Sequence, residues 1–271
     1  VTALVDLGRG EIDTGFSRGY GDYLDRFGDV LAVNRPLVAF VDAAAETTLW
    51  KHRDPATTRV HRVTPDTLKG LAVWPLVQGI RLTPSWSQQV DWLADSPQAR
   101  LEAYNPLVMS KLPWLSLVTA DNPFGSTHFA WIDAGLGRTV PGALLQSSVE
   151  SPAIIEHLQR CLFLCYPYEG HEEIHGFERT AMARRSGTDY VRWVARGGFF
   201  GGSATFVRKA ASLYEATLLD TLTEGLMGTE ESVFTILAHL HPAIFDKYMI
   251  GADGLVWPFF DEVSRTLHGT R

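Results

Sequence analysis

His128-Phe129-Ala130-Trp131-Ile132-Asp133-Ala134-Gly135 is a run of apolar and aromatic residues that ends on one carboxylate and then a glycine. Such a run reads as a short core strand. Asp133 then falls at the strand's carboxyl end, where open α/β sheets bind their ligands. A carboxylate there can hold a divalent cation against a diphosphate, and Gly135 lets the backbone approach a ligand closely. The plainer reading, in which Asp133 only starts a turn, uses the same residues. What separates the two lies elsewhere in the chain.

Upstream, Thr2 to Leu7 reads as a strand, followed by Gly8-Arg9-Gly10. A helix pattern runs from about Ser17 to Phe27, with Tyr20, Leu24 and Phe27 on one face. Pro36 to Asp42 is a second strand, Ala43 to His52 a helix, and Thr58 to Val63 a third strand. This alternation predicts a mostly parallel, mixed sheet with helices on both sides, an α/β fold. Gly8-Arg9-Gly10 is not a dinucleotide fingerprint, because the third glycine and the spacing into a helix are absent. A helical tract over about 97–120 carries Pro106 and Pro113, which imply a kink or abutting helices. Lys111 lies within it, and a lysine on a helix is ordinarily a solvated side chain. Downstream, Ser151 is placed to cap a helix reaching Arg160, and Cys161 to Tyr166 reads as a buried strand.

Composition narrows the classes. A chain of 271 residues is long enough to bury a substantial core. Neither repeat nor linker divides it, so one domain over residues 1–271 is expected. A net charge of −7 gives no global attraction to nucleic acid or anionic membranes, so any phosphate binding has to be local. No apolar segment reaches the roughly 20 residues needed to span a bilayer, and no signal-peptide pattern opens the chain. The expectation is a cytoplasmic protein without a transmembrane segment. The two cysteines, Cys161 and Cys165, share one face of a strand and need no chemistry as buried thiols.

Arg196-Gly197-Gly198-Phe199-Phe200-Gly201-Gly202 carries four glycines around two aromatics and predicts a tightly turned loop pressed against a ligand or another backbone. A long helix, Thr205 to Glu224, follows. Gly228-Thr229-Glu230-Glu231 then opens a second helix, with Thr229 as a candidate cap and two glutamates at the positive end of its dipole. The alternative is a pair of carboxylates aimed at a sugar. His171-Glu172-Glu173-Ile174-His175 matches H-E-x-x-H, the helix-borne zinc motif of metallopeptidases. Its setting argues against that reading, since a loop precedes it and Gly176 ends any helix at once.

Taken together, Thr2 to Arg9, Asn122-Pro123-Phe124, Phe129 to Gly135, Gly197 to Gly202 and Gly228 to Glu231 resemble the HtrL/YibB family, also called WlaTC/HtrL-type. The resemblance spans most of the chain and implies a nucleotide-diphospho-sugar glycosyltransferase of GT-A type. More distantly, a Phe-Gly-Gly segment, a helix and an acidic turn resemble the blood-group-type galactosyl- and N-acetylgalactosaminyltransferases. By that likeness Glu231 stands beside the anomeric carbon, with Glu230 as its neighbour. Gly135 occupies the place of the second Asp in the usual motif, so Asp133 alone is carried over as a ligand of Mg²⁺ or Mn²⁺.

The resemblance thus implies a nucleotide-binding N-terminal half and an acceptor-binding C-terminal half. Donor contacts are expected from Asp6, Arg9, Lys111, Asp133 and Gly135. Acceptor contacts are expected from Gly198, Phe199, Phe200, Gly201 and Gly202, with a carbohydrate or small-molecule hydroxyl as acceptor. Glu231 and Glu230 are the catalytic candidates. Glycosyl transfer needs the diphosphate's charge neutralised and a carboxylate near the sugar, and these residues meet both needs. Two other readings stay open: a zinc hydrolase using His171, Glu172 and His175, and a nucleotide-sugar-binding protein without catalysis. A phosphotransferase is disfavoured because no G-x-x-x-x-G-K-[ST] loop occurs.

Overall fold

The computed structural model describes residues 1–169 and 172–266. Strand β1 (Thr2–Leu4), helix α1 (Tyr20–Leu31), β2 (Leu37–Val41), α2 (Ala43–Leu49) and β3 (Thr58–Arg62) build a parallel sheet in the order β1-β2-β3. Helix α3 (Lys111–Asp121) leads into β4 (His128–Ile132) and then β5 (Cys161–Pro167). A small hairpin follows, β6 (Glu173–Ile174) with β7 (Phe177–Glu178). The chain continues through β8 (Trp193–Ser203), α4 (Ala204–Thr223), α5 (Glu230–Leu240), β9 (Phe245–Met249) and α6 (Trp257–Thr266). A second sheet has the order β4-β8-β5-β9, with β8 antiparallel to both neighbours and β9 parallel to β5.

Val1 joins the two sheets. Its nitrogen donates to Ala130 O at 2.6 Å, and its carbonyl accepts from Ile132 N at 2.9 Å. That pattern sets β1 parallel to β4. The strands flanking this seam are followed in the chain by elements on opposite sides of it, a topological switch point where crevices form at strand carboxyl ends.

Both faces of the sheet are covered, and the two-residue period shows it. Leu37, Ala39 and Val41 of β2 enter one core with Leu162 and Leu164 of β5. Val38 and Phe40 enter the other with Cys161, Phe163 and Cys165. The cysteines are free and buried, packed as small apolar side chains as expected. No helix among the described residues is long and apolar enough to cross a membrane.

Three local expectations change. The first helix starts later and runs further, Tyr20–Leu31, because Gly19 is extended at its cap and Val30 and Leu31 join the buried face. The tract 97–120 is three helices, Pro97–Arg100, Tyr104–Met109 and α3. Pro106 and Pro113 each sit third in a new helix, where the backbone has no intrahelical donor to lose. The expected helix from Ser151 to Arg160 is only Ile154–His157.

The glycine-rich segment is corrected from a turned loop to part of the long strand β8. It lies between β4 and β5, and side chains at two of its glycines would strike backbone on either side. A Cβ at Gly201 would collide with the carbonyl of Phe129, and one at Gly202 with the backbone of Arg160. Strand crowding, not a turn, accounts for these glycines.

Candidate active site

At the carboxyl ends of β1 and β4 opens a cavity of about 650 Å³. Its wall includes Asp6 and Arg9 after β1, Asp133 and Gly135 after β4, Lys111, His175, Arg196, and Glu230 and Glu231. Each is placed by backbone that has another reason to be there. Phe234 of α5 stacks on Phe163 of β5 at 4.5 Å between ring centroids and meets Phe200 of β8 at 4.9 Å. The Ala195 N–H donates to Thr235 Oγ1 at 3.0 Å. These contacts seat the start of α5 against β8, so its first two residues face the cavity.

A buried ion network results. Lys111 Nζ lies 2.9 Å from Asp133 Oδ1, 3.0 Å from Asp133 Oδ2 and 2.6 Å from Glu230 Oε1, and it donates to the Gly197 carbonyl at 3.2 Å. Asp133 Oδ1 also accepts from Trp131 Nε1 at 2.6 Å. Glu231 is held separately: His175 Nδ1 is 2.8 Å from Oε2, Arg196 reaches Oε2 at 3.5 Å, and the Gly197 N–H donates to Oε1 at 2.7 Å. Gly197 is required by this arrangement, because a Cβ there would occupy the space of the Glu230 carboxylate.

Surroundings split the two glutamates. Burial raises the Glu230 carboxyl, and Glu231 and Asp133 add to the rise, so it stands at about 7 despite Lys111 beside it. Burial also works against ionising Glu231, but Arg196, His175 and the Gly197 amide overcome it and hold that carboxyl far below the usual range. For Lys111, burial opposes the charge, and Asp133 and Glu230 more than restore it. For His175 burial likewise lowers the imidazole, and Glu231 reverses the effect to a net rise. Adjacent carboxyls pushed in opposite directions from their ordinary value are characteristic of acid–base sites.

The capping account of Glu230 and Glu231 is tested by the same geometry. Thr229 has the extended cap conformation, but its side chain caps no helix amide, and its buried Oγ1 has no partner among the described residues. Glu231 accepts from β8 and Glu230 pairs with α3, so neither side chain turns back on its own helix. The dipole of α5 still favours their charge.

The HtrL_YibB family, described as bacterial proteins of unknown function, matches residues 1–252. The chain belongs to the HtrL/YibB family. No curated protein matches its sequence. Among solved structures, the Mn/GDP form of core-mannan synthase A (CmsA/Ktr4) from Aspergillus fumigatus is similar over 91% of this chain and 72% of its own, at 10% identity and a TM-score of 0.50. The apo form of mouse xyloside xylosyltransferase 1 is similar over 91% of this chain and 83% of its own, at 8% identity and a TM-score of 0.43. The fold is GT-A-like, as the resemblance implied.

In this HtrL/YibB member the expected donor residues Asp6, Arg9, Lys111, Asp133 and Gly135 all reach one cavity. Asp6 is exposed there and accepts from the Gly8 N–H at 2.9 Å, closing its own turn. Arg9 is aimed by Tyr23, whose hydroxyl takes its Nη1 at 2.7 Å. Lys111 is corrected from a solvated side chain to a buried one, 10% exposed, because it starts α3 against Asp133 and Glu230. Of the five expected acceptor residues, Gly198 lines the cavity. The other four are corrected: Phe199 and Phe200 are fully buried among aromatic neighbours, and Gly201 and Gly202 are hemmed in by strand backbone.

Within the H-E-x-x-H segment, Glu172 to His175 are not helical. Glu173 to Glu178 is the β6–β7 hairpin, with His175 and Gly176 at positive φ in its turn. His171 lies outside the described residues. Gln98 Nε2 holds the His175 carbonyl at 2.9 Å, and Trp86 Nε1 and Gln89 Nε2 hold that of Gly176 at 3.2 and 2.6 Å. The turn thereby delivers His175 to Glu231, a partnership that the zinc pattern conceals. The sequence marks Arg196 only as the flank of a glycine-rich segment, and its place beside Glu231 has no local signal.

A divalent ion at Asp133 fits this donor set poorly. Both carboxylate oxygens already meet Lys111 Nζ, and one also takes the Trp131 N–H. Among the described residues no three His, Cys, Asp or Glu side chains are grouped to hold a metal.

Proposed function

We propose that the chain transfers a sugar from a nucleotide-diphosphate donor to a hydroxyl of a carbohydrate or small molecule. The observation that carries this reading is the convergence of an ionised Glu231 and the Lys111–Asp133–Glu230 network on one cavity at the switch point of a GT-A-like sheet. In glycosyl transfer the anomeric C–O bond to the diphosphate breaks as the acceptor oxygen bonds to that carbon. Positive charge builds on the sugar, and negative charge builds on the leaving diphosphate.

Glu231, fixed as an anion by Arg196 and His175, is suited to face the positive charge. Glu230, near neutrality, is suited to take the proton that the acceptor hydroxyl gives up. Arg9, aimed into the cavity by Tyr23, supplies positive charge for the diphosphate, while Lys111 is held by Asp133 and Glu230. The orphaned polar atoms Gln98 Oε1 and Thr229 Oγ1, both on residues of the cavity wall, offer partners for sugar hydroxyls.

The test begins with a thermal-shift panel of nucleotide sugars, since a bound donor raises apparent stability by mass action. Donors that bind are then assayed for transfer to a sugar-acceptor library and for slow hydrolysis. Binding followed by release of nucleoside diphosphate is the expected result. Donor binding with no turnover in any assay leaves a sugar-binding protein in its place.

A further inference from the structure

We propose that this site neutralises its donor's diphosphate with side-chain cations alone, chiefly Arg9 with Arg138 at the rim, and works without a divalent ion. The inference rests on the nucleotide-diphosphate reading above, and three features of the cavity lead to it.

First, the place a metal would take is filled by an ammonium. Lys111 Nζ stands within 3.0 Å of both oxygens of Asp133 and 2.6 Å from Glu230. A divalent ion on Asp133 would need one of those oxygens at about 2.0–2.6 Å, beside a buried positive charge. Displacing Lys111 is no escape. Its side chain is 10% exposed and would keep only Glu230 and the Gly197 carbonyl as partners.

Second, the position that could supply another carboxylate is crowded. A Cβ at Gly135 would lie 3.3 Å from Tyr23 Cε1 and 3.5 Å from Cδ1. The ring that fills this space also aims Arg9 into the cavity through its hydroxyl. The same ring thus crowds a second acidic ligand at 135 and aims a cation.

Third, the remaining carboxylate is spoken for while an arginine is not. Glu231 is paired with Arg196 and His175. Arg138 lines the cavity, exposed, with no ion pair or hydrogen bond to its guanidinium among the described residues. A planar guanidinium in that state matches a phosphate bidentately.

The experiment is calorimetric titration of the full chain with UDP, GDP, ADP, CDP and TDP, each in EDTA and in MnCl₂. The expected result is that at least one nucleoside diphosphate binds with affinities in the two buffers agreeing within about threefold. Arg138→Gln should weaken that binding in EDTA by about tenfold, the loss of one charged hydrogen-bonding partner, with an unchanged melting curve. Binding that appears only with Mn²⁺, or tightens tenfold or more with it, overturns the inference and leaves the donor reading intact. No binding of any diphosphate in either buffer removes the donor reading itself, and this inference with it.

Discussion

Lys111 Nζ and Glu230 Oε1 stand 2.6 Å apart, and each residue is the first of its helix. The positive end of a helix dipole favours Glu230 in that position and disfavours Lys111. The lysine is therefore held against its own helix by Asp133 and Glu230. A structural salt bridge would not need to begin two helices in one cavity, and the arrangement suits a site that handles charge.

Replacing Glu231 should separate chemistry from folding. Glu231→Gln leaves Arg196 and His175 without an anion in a largely buried place, at a cost of about 3 kcal/mol in stability. Turnover of the folded variant, measured well below its melting temperature, should fall by about 100-fold or more. Wild-type turnover in the folded variant would remove Glu231 from the chemistry.

Stability should decline through neutrality. The folded Glu230 carboxyl is raised from 4.5 to about 7, so its contribution is complete below 4.5 and is lost as pH climbs through about 7. His175 is also raised and acts in the same direction above its unfolded value of 6.5. Glu231 is depressed, so its share is present above 4.5 and is lost on acidification. Melting temperature should therefore peak between these limits, and Glu230→Gln should flatten the alkaline fall. An identical slope in both proteins would contradict the assignment.

His175 is a positioning residue for Glu231, and its backbone constrains the test. With φ at 51°, an asparagine there keeps the turn while removing the imidazole. His175→Asn should let the Glu231 carboxyl rise toward its ordinary range. The acid limb of the kcat profile should move to higher pH, with Michaelis constants changed less than kcat. A uniform loss at every pH would point to misfolding instead.

The hairpin geometry leaves Glu172 without a zinc role. Glu172→Gln should keep sugar transfer within about twofold, and elemental analysis of the purified wild type should find no stoichiometric zinc. One zinc per chain, together with an inactive variant, would restore the hydrolase reading.

Much of the scaffold was legible because it is written in local runs of apolar residues. The unbroken apolar stretch Leu37 to Val41, buried throughout, and the apolar run ending at Asp133 give strands, and the intervening helices give a parallel arrangement. The site was legible only in part. Asp133, Glu230 and Glu231 stand beside recognisable breaks in pattern, but their partners Lys111, His175 and Arg196 are fixed by contacts distant in sequence. The glycines of β8 misled for a related reason. Crowding by strands on both sides and closeness to a ligand demand the same absence of a side chain.

Tyr23 against Gly135 has a consequence for how such a site can change over generations. An aspartate at 135 is a single substitution on paper, yet it arrives into space already held by a ring. Trimming Tyr23 first removes the hydroxyl that aims Arg9, so a change at either position is felt at the other. The two positions are epistatic. Acquiring an acidic residue at 135 is thereby tied to repacking Tyr23 and re-aiming Arg9.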